Sequence, residues 1–206
     1  MINLNNAPRR LCAAAAMCLY PLLLQAQPFA GLAYGYAYTL HPGASAMKDQ
    51  GYEIEQTGTP ASIEAGWTFT LPLDDLTVRL SPGVRAGMQD VETMTPSDDD
   101  PSGTEFSFST KPVRAFVRAA AGYFFLDASA GIHASSVTYK TNTGDFSGEY
   151  LDFSAGFGTG AELTLLDRIA IRSGPQCDYF YLGDNGIGKS LHMVSIGFFA
   201  GATVAF

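Results

Sequence analysis

The chain has 206 residues, with 12 Lys and Arg against 20 Asp and Glu for a formal net charge of −8. An anionic chain lacks the clustered cations that phosphate-backbone recognition needs, which excludes a general nucleic-acid binder. Only three cysteines are present, two of them within the first eighteen residues, which excludes a scaffold held by disulfide staples.

The first element is "MINLNNAPRR", basic and free of acids, followed by the apolar run "LCAAAAMCLYPLLL" and then "QAQ". This order predicts a secretory signal over residues 1–26, cut near Ala26. A membrane anchor needs about twenty apolar residues, and Pro21 interrupts this run. Lipid attachment at Cys18 would call for Leu three positions earlier, where Ala15 stands. The expected mature domain is therefore 27–206, with Cys177 as its single thiol.

Within that domain the sequence reads as alternating segments, the period of a strand and not of a helix. "FAGLAYGYAYTL" sets Leu32, Tyr34, Tyr36, Tyr38 and Leu40 on one face. "ASIEAGWTFTL" does the same with Ile63, Ala65, Trp67, Phe69 and Leu71, opposite Glu64. The third segment, Leu76 to about Gln89, opposes its apolar residues to Arg79 and Arg85, and the fourth, "KPVRAFVRAA", opposes Val113, Ala115 and Val117 to Arg114 and Arg118. The fifth runs from Phe124 with Asp127, His133 and Ser135 on its second face, and the sixth from Leu151 with Asp152 and Glu162 on its second face. Ile169 opens the seventh, where Ile171 opposes Arg172, and "SIGFFAGATVAF" is the eighth. Long polar connections are expected at about His41–Gly58, Asp90–Thr104, Thr141–Gly148 and Gly183–Lys189, and tight turns at "PLDD", "AAG" and "LLDR".

The face opposite the apolar one carries Gly, Ala, Ser and Thr with a few charges, where a soluble barrel would carry many Lys and Glu. Small residues suit the crowded inside of a narrow closed barrel, and an apolar outside suits lipid. A sheet in lipid must close to satisfy its backbone. The fold expected is all-β: a closed, antiparallel, up-and-down transmembrane barrel of eight strands, with long loops at one end and tight turns at the other. Parity places Glu64, Asp127, Asp152 and Glu162 inside with Arg79, Arg85, Arg114, Arg118 and Arg172. Left unpaired each would cost several kcal/mol, so a charge-balanced lumen network is expected.

These segments, with the terminal "GATVAF", resemble the small eight-stranded outer-membrane β-barrels of diderm bacteria, the group containing OmpA's membrane domain, OmpX and OmpW/OprG. The resemblance implies an outer-membrane location with periplasmic termini. It also implies that Phe198, Val204 and Phe206 form a signal read by the barrel-assembly machinery. Through OmpW/OprG it suggests passage of small hydrophobic molecules.

Three prolines disturb the pattern, since a closed barrel offers no free edge for Pro82, Pro112 and Pro175. Pro82 and Pro112 flank the second long loop symmetrically and are expected to share one kink. Asp127, His133 and Ser135 share a face, but residues two apart on a strand lie nearly 7 Å from each other, so no catalytic arrangement is expected. "SDDDP" at Asp98, Asp99 and Asp100 is a weak metal candidate without the ordered ligand spacing of a calcium loop. His41 and His192 are expected to be solvated, and no cofactor is expected. Eight strands leave an interior that side chains can fill. The leading reading is a narrow conduit for small polar or hydrophobic solutes. The alternative is a scaffold whose acidic loops, with Asp49, Glu53, Glu55, Asp90, Glu92, Asp98, Asp99, Asp100 and Glu105, bind a partner, a host surface or divalent cations. A soluble lipocalin-like binder is the third.

Overall fold

The computed structural model describes residues 26–40, 52–73, 76–96, 105–141, 144–166, 168–183 and 191–206. They form β1 (Gln27–Leu40), β2 (Tyr52–Glu55), β3 (Thr57–Gly58), β4 (Ala61–Leu73), β5 (Leu76–Pro96), β6 (Glu105–Ala121), β7 (Phe124–Thr141), β8 (Gly144–Leu165), β9 (Ile169–Leu182) and β10 (Leu191–Ala205). From β4 to β10 neighbours in sequence pair antiparallel, β4 pairs with β1, and β1 pairs with β10 from Phe29 opposite Ala205 to Leu40 opposite Val194. That last ladder closes the sheet on itself.

The short strands do not add to the ring. β3 and β4 keep one register on β1, with Ala37 opposite Gly58 and Tyr34 opposite Ala61. β2 lies on the far end of β5, with Glu55 opposite Thr93. Together β2, β3 and β4 make one lane, and the barrel has the eight lanes that the alternation predicts.

The period-two pattern sets each residue's side. Leu32, Ile63, Leu126 and Leu151 point outward and are more than half exposed, while Glu64, Arg118, Asp127 and Arg172 on alternate positions are buried. Outward aromatics stand at both ends of the belt and, with Phe157 beside the level of Asp127, at its middle. Tyr36 and Tyr38 stand toward the loop end, and Trp67, Tyr123 and Phe124 toward the turn end.

Three expectations about connections change. The sequence places polar loops over His41–Gly58, Asp90–Thr104 and Thr141–Gly148, yet β2 and β3 lie in the first of these stretches. β5 continues to Pro96, and β8 begins at Gly144 opposite Thr141. A backbone ladder does not stop where side chains turn polar. Thr, Tyr and Val in these stretches suit a strand, so the paired strands project beyond the apolar belt.

Each proline expected to disturb the wall does so. Pairing of β4 with β5 lapses between Gly66–Gly83 and Phe69–Leu80, across Pro82. Pairing of β5 with β6 lapses between Ala86–Val113 and Gln89–Thr110, across Pro112. Pairing of β8 with β9 lapses between Gly158–Gln176 and Ala161–Ser173, across Pro175. Each gap holds the residue that has no N–H to give. Thr68 and Ser81 restore a bond at the first gap, hydroxyl to hydroxyl at 2.9 Å. Pro82 and Pro112 do not share a kink. Pro82 lies opposite Val117, Pro112 opposite His133 and beside Gly87, and the bulge in β5 falls at Asp90 and Glu92. The hairpin is not centred on the middle of the connecting sequence, so symmetry in residue count does not translate into contact.

Candidate functional site

Charged side chains from five lanes meet across the middle of the barrel. Arg118 grips Glu64 through both terminal nitrogens, at 3.1 and 2.8 Å, and reaches Asp127 at 3.0 Å. Arg85 forks onto both oxygens of Asp127 at 3.1 and 2.8 Å and touches Glu64 at 3.1 Å. Arg172 closes the layer on Glu64 at 2.5 Å. Paired oxygens suit the planar fork of a guanidinium. The ring of Phe116 lies beside this layer, 4.8 Å from the Arg85 guanidinium carbon and 5.0 Å from that of Arg118, the spacing of a cation–π contact.

Two further pairs flank the layer. Toward the turns, Arg79 bonds Glu162 at 2.6 Å and the Thr164 hydroxyl at 2.5 Å. Toward the loops, Arg114 pairs with Asp178 and donates to Ser154 at 2.9 Å. Gly156 makes that second pair feasible. A Cβ there would stand 2.6 Å from Asp178 Oδ1 and 2.7 Å from Arg114 Nη1.

Eight of the nine charged residues assigned by parity thus lie in ion pairs inside the barrel. Asp152 is the departure. It accepts the Gly183 N–H at 3.0 Å near the loop end and makes no ion pair among the described residues, because its height on β8 puts it beyond the arginines. Asp178 takes the place in the network that parity gave to Asp152. Continuing the parity of Arg172 through Gly174 and Gln176 would have found it, but Pro175 reads as a break there. Phe198, Val204 and Phe206 all face outward, and the Phe206 N–H donates to the Pro28 carbonyl at 2.9 Å. Asp98, Asp99, Asp100, His41 and Asp49 lie outside the described residues.

His133, Ser135 and Asp127 do not assemble. His133 is buried with its ring edge-on to Phe180, 5.3 Å between centroids, and Asp127 is committed to two arginines. His192, exposed as expected, packs against Tyr179 and Tyr181 and shares a 2.7 Å hydrogen bond with the Tyr179 hydroxyl. Cys177 is exposed on the outer face of β9.

Along the axis the interior changes character. At the loop end Phe108, Val137, Phe180, Leu182 and Met193 form a buried apolar cluster, with Tyr150 against it. A smaller cluster of Ala120, Phe125 and Phe199 packs lower down. The space between is small, with cavities of about 50 and 10 Å³ beside Arg85 and Asp178. At the turn end a cavity of about 590 Å³ is bordered by Arg79, Glu162 and several threonines, with Arg118 and Arg172 at its inner limit.

No family model matches the sequence, and no curated protein does. Solved structures do. Neisserial surface protein A is 13% identical, with 87% of this chain and 97% of that one covered at a TM-score of 0.52. This is the fold of a small outer-membrane β-barrel. Ail, the attachment invasion locus protein of Yersinia pestis, aligns over 88% of this chain and 99% of its own, at 11% identity and a TM-score of 0.49. The N-terminal β-barrel domain of Pseudomonas aeruginosa OprF aligns over 86% and 99%, at 13% identity and a TM-score of 0.40. At these identities the likeness concerns the fold, and the charged layer has to be read from this chain's own residues.

Proposed function

We propose that this protein is an integral outer-membrane β-barrel with a closed interior, and that it serves as a scaffold for recognition at its loop end. The observation that carries this reading is the layered filling of the barrel. An apolar cluster stands at the loop end and a ring of ion pairs beneath it, with little space between. Moving an ion through would require stripping carboxylates from guanidiniums in a low-dielectric interior, which costs several kcal/mol for each. The outward apolar belt and the closure of the ring by the β1–β10 ladder support placement in lipid. The outward-facing terminal aromatic is the feature offered to the assembly machinery.

Recognition falls to the projecting strands. Glu53 and Glu55 on β2, Asp90 and Glu92 on β5 and Glu105 on β6 stand at the loop end of the ladders, beyond the apolar belt. An acidic rim suits a cationic partner surface or divalent cations. The test is conductance in a planar lipid bilayer, using refolded protein that migrates differently on a gel before and after boiling. A folded but silent barrel is expected, and reproducible single-channel steps would overturn the closed-interior reading.

One observation favours the conduit for small apolar molecules as a second reading. The 50 Å³ cavity touches inward Arg85 and Gln89 and also outward Tyr34 and Met88, close to the ladder break at Pro112. A barrel silent in the bilayer that nevertheless accelerates uptake of an apolar fluorescent probe by cells would favour it.

A further inference from the structure

Arg79 and Arg114 each have a carboxylate of their own, Glu162 and Asp178. Arg85, Arg118 and Arg172 share two, Glu64 and Asp127. The central layer thus holds one guanidinium more than it has carboxylates, and a buried charge without a counter-charge is costly. The excess faces one way. Arg118 and Arg172 bound the turn-end cavity from within, and Arg168, exposed in the turn after β8, stands at its rim.

Arg172 supplies an independent sign of a ligand. Its residue surface is 1% exposed, its Nη2 is taken by Glu64, and its Nε–H has no acceptor among the described residues. A buried donor left unmade costs more than a typical hydrogen bond contributes. Thr203, whose hydroxyl oxygen lies 3.5 Å from Arg172 Nη1, borders the same cavity, as do Thr77 and Thr164. The Glu162 carboxylate borders the cavity too but is held by Arg79, so guanidinium forks and hydroxyl donors around the surplus positive charge still form the surroundings that an oxyanion requires.

We propose that the turn-end cavity binds a small oxyanion of the phosphate class, held by Arg172 and Arg168 with threonine hydroxyls as further donors. At about 590 Å³ the cavity is larger than the ion itself and lies in the size range of small-molecule sites. It therefore accommodates either free phosphate or the phosphate of a lipid headgroup at that end of the barrel. The site is independent of whether the barrel conducts.

The test is calorimetric titration of inorganic phosphate into the full chain refolded in a non-ionic detergent, which brings no phosphate of its own. Saturable one-to-one binding is expected. Arg168→Gln, an exposed change that leaves the interior pairs intact, should weaken it about tenfold, the loss of one charge-assisted hydrogen bond. Thr203→Val should weaken it as well, while Lys111→Gln, exposed and away from the cavity, should leave it unchanged. Repeating the titration in phosphatidylglycerol nanodiscs separates the sources. Lost phosphate binding assigns the site to a lipid headgroup, and retained binding assigns it to the free anion. No saturation in the unmodified chain, or an equal loss in Lys111→Gln, would overturn the proposal.

Discussion

Replacing Glu64 with Gln tests the closed interior most directly. The Glu64 side chain has no solvent exposure and accepts from Arg85, Arg118 and Arg172 together. Gln keeps the shape but removes the charge, and it turns an N–H₂ group toward guanidiniums that can only donate. Asp127 would then face three cations alone. Breaking a buried ion pair by removing one partner costs about 3–5 kcal/mol, a large part of the ~5–15 kcal/mol that holds a typical domain folded. The assay is equilibrium urea unfolding in phospholipid vesicles, followed by fluorescence of Trp67. It is the chain's single tryptophan, on the same strand as Glu64 and facing outward. Glu64→Gln should lower the midpoint strongly. Adding Arg118→Gln, which removes a charge of the other sign, should cost less than the two single changes summed. A loss below about 1 kcal/mol, the range of exposed ion pairs, would mean that Glu64 is hydrated, and the argument for a sealed barrel would fail.

Three further predictions concern the wall and its turns. Phe206→Ser should reduce the amount of heat-modifiable barrel recovered from outer membranes while leaving refolding in detergent intact, and equal recovery would remove the assembly role of the terminal aromatic. With Cys12 and Cys18 changed to Ser, Cys177 in vesicles should react with a small apolar maleimide and resist a charged, impermeant thiol reagent; equal rates would put that face in water. Leu166 adopts a φ of 54° in the turn after β8, where a Cβ is strained. Leu166→Gly should raise the stability read by urea unfolding by about 1 kcal/mol, and a decrease would show that the Leu166 side chain contributes more than its backbone strain costs.

Side, but not height, was legible in the sequence. Alternation told which residues face inward, because a strand's parity survives whatever the strand pairs with. It could not tell that Arg172 on β9 meets Glu64 on β4, since such meetings depend on how far each strand is staggered around the ring. Asp152 and Asp178 show the same limit. Both face inward, but only Asp178 lies level with Arg114. The ends of strands were obscured for a different reason. Hydropathy marks the apolar belt, and Ser135 to Thr141 on β7 or Gly144 to Tyr150 on β8 pair beyond it with no change in backbone geometry. The prolines were legible as disturbances, and their partners across the wall were not.

The four ladder interruptions are not spread evenly. The β6–β7 and β7–β8 ladders run without a break, and so do β9–β10 and β10–β1. Pro175 interrupts β8 against β9, whereas Pro60, Pro82 and Pro112 interrupt three successive ladders on either side of β4 and β5. Mechanically the wall is two stiff panels of three strands, joined on one side at a single seam and on the other by a compliant strip. Amide exchange should open along that strip first, since local opening follows the density of backbone bonds. Glu64 and Arg85 are both rooted in it. The charges that bridge the interior therefore also brace the softest part of the wall, and whatever loosens them is felt there before anywhere else.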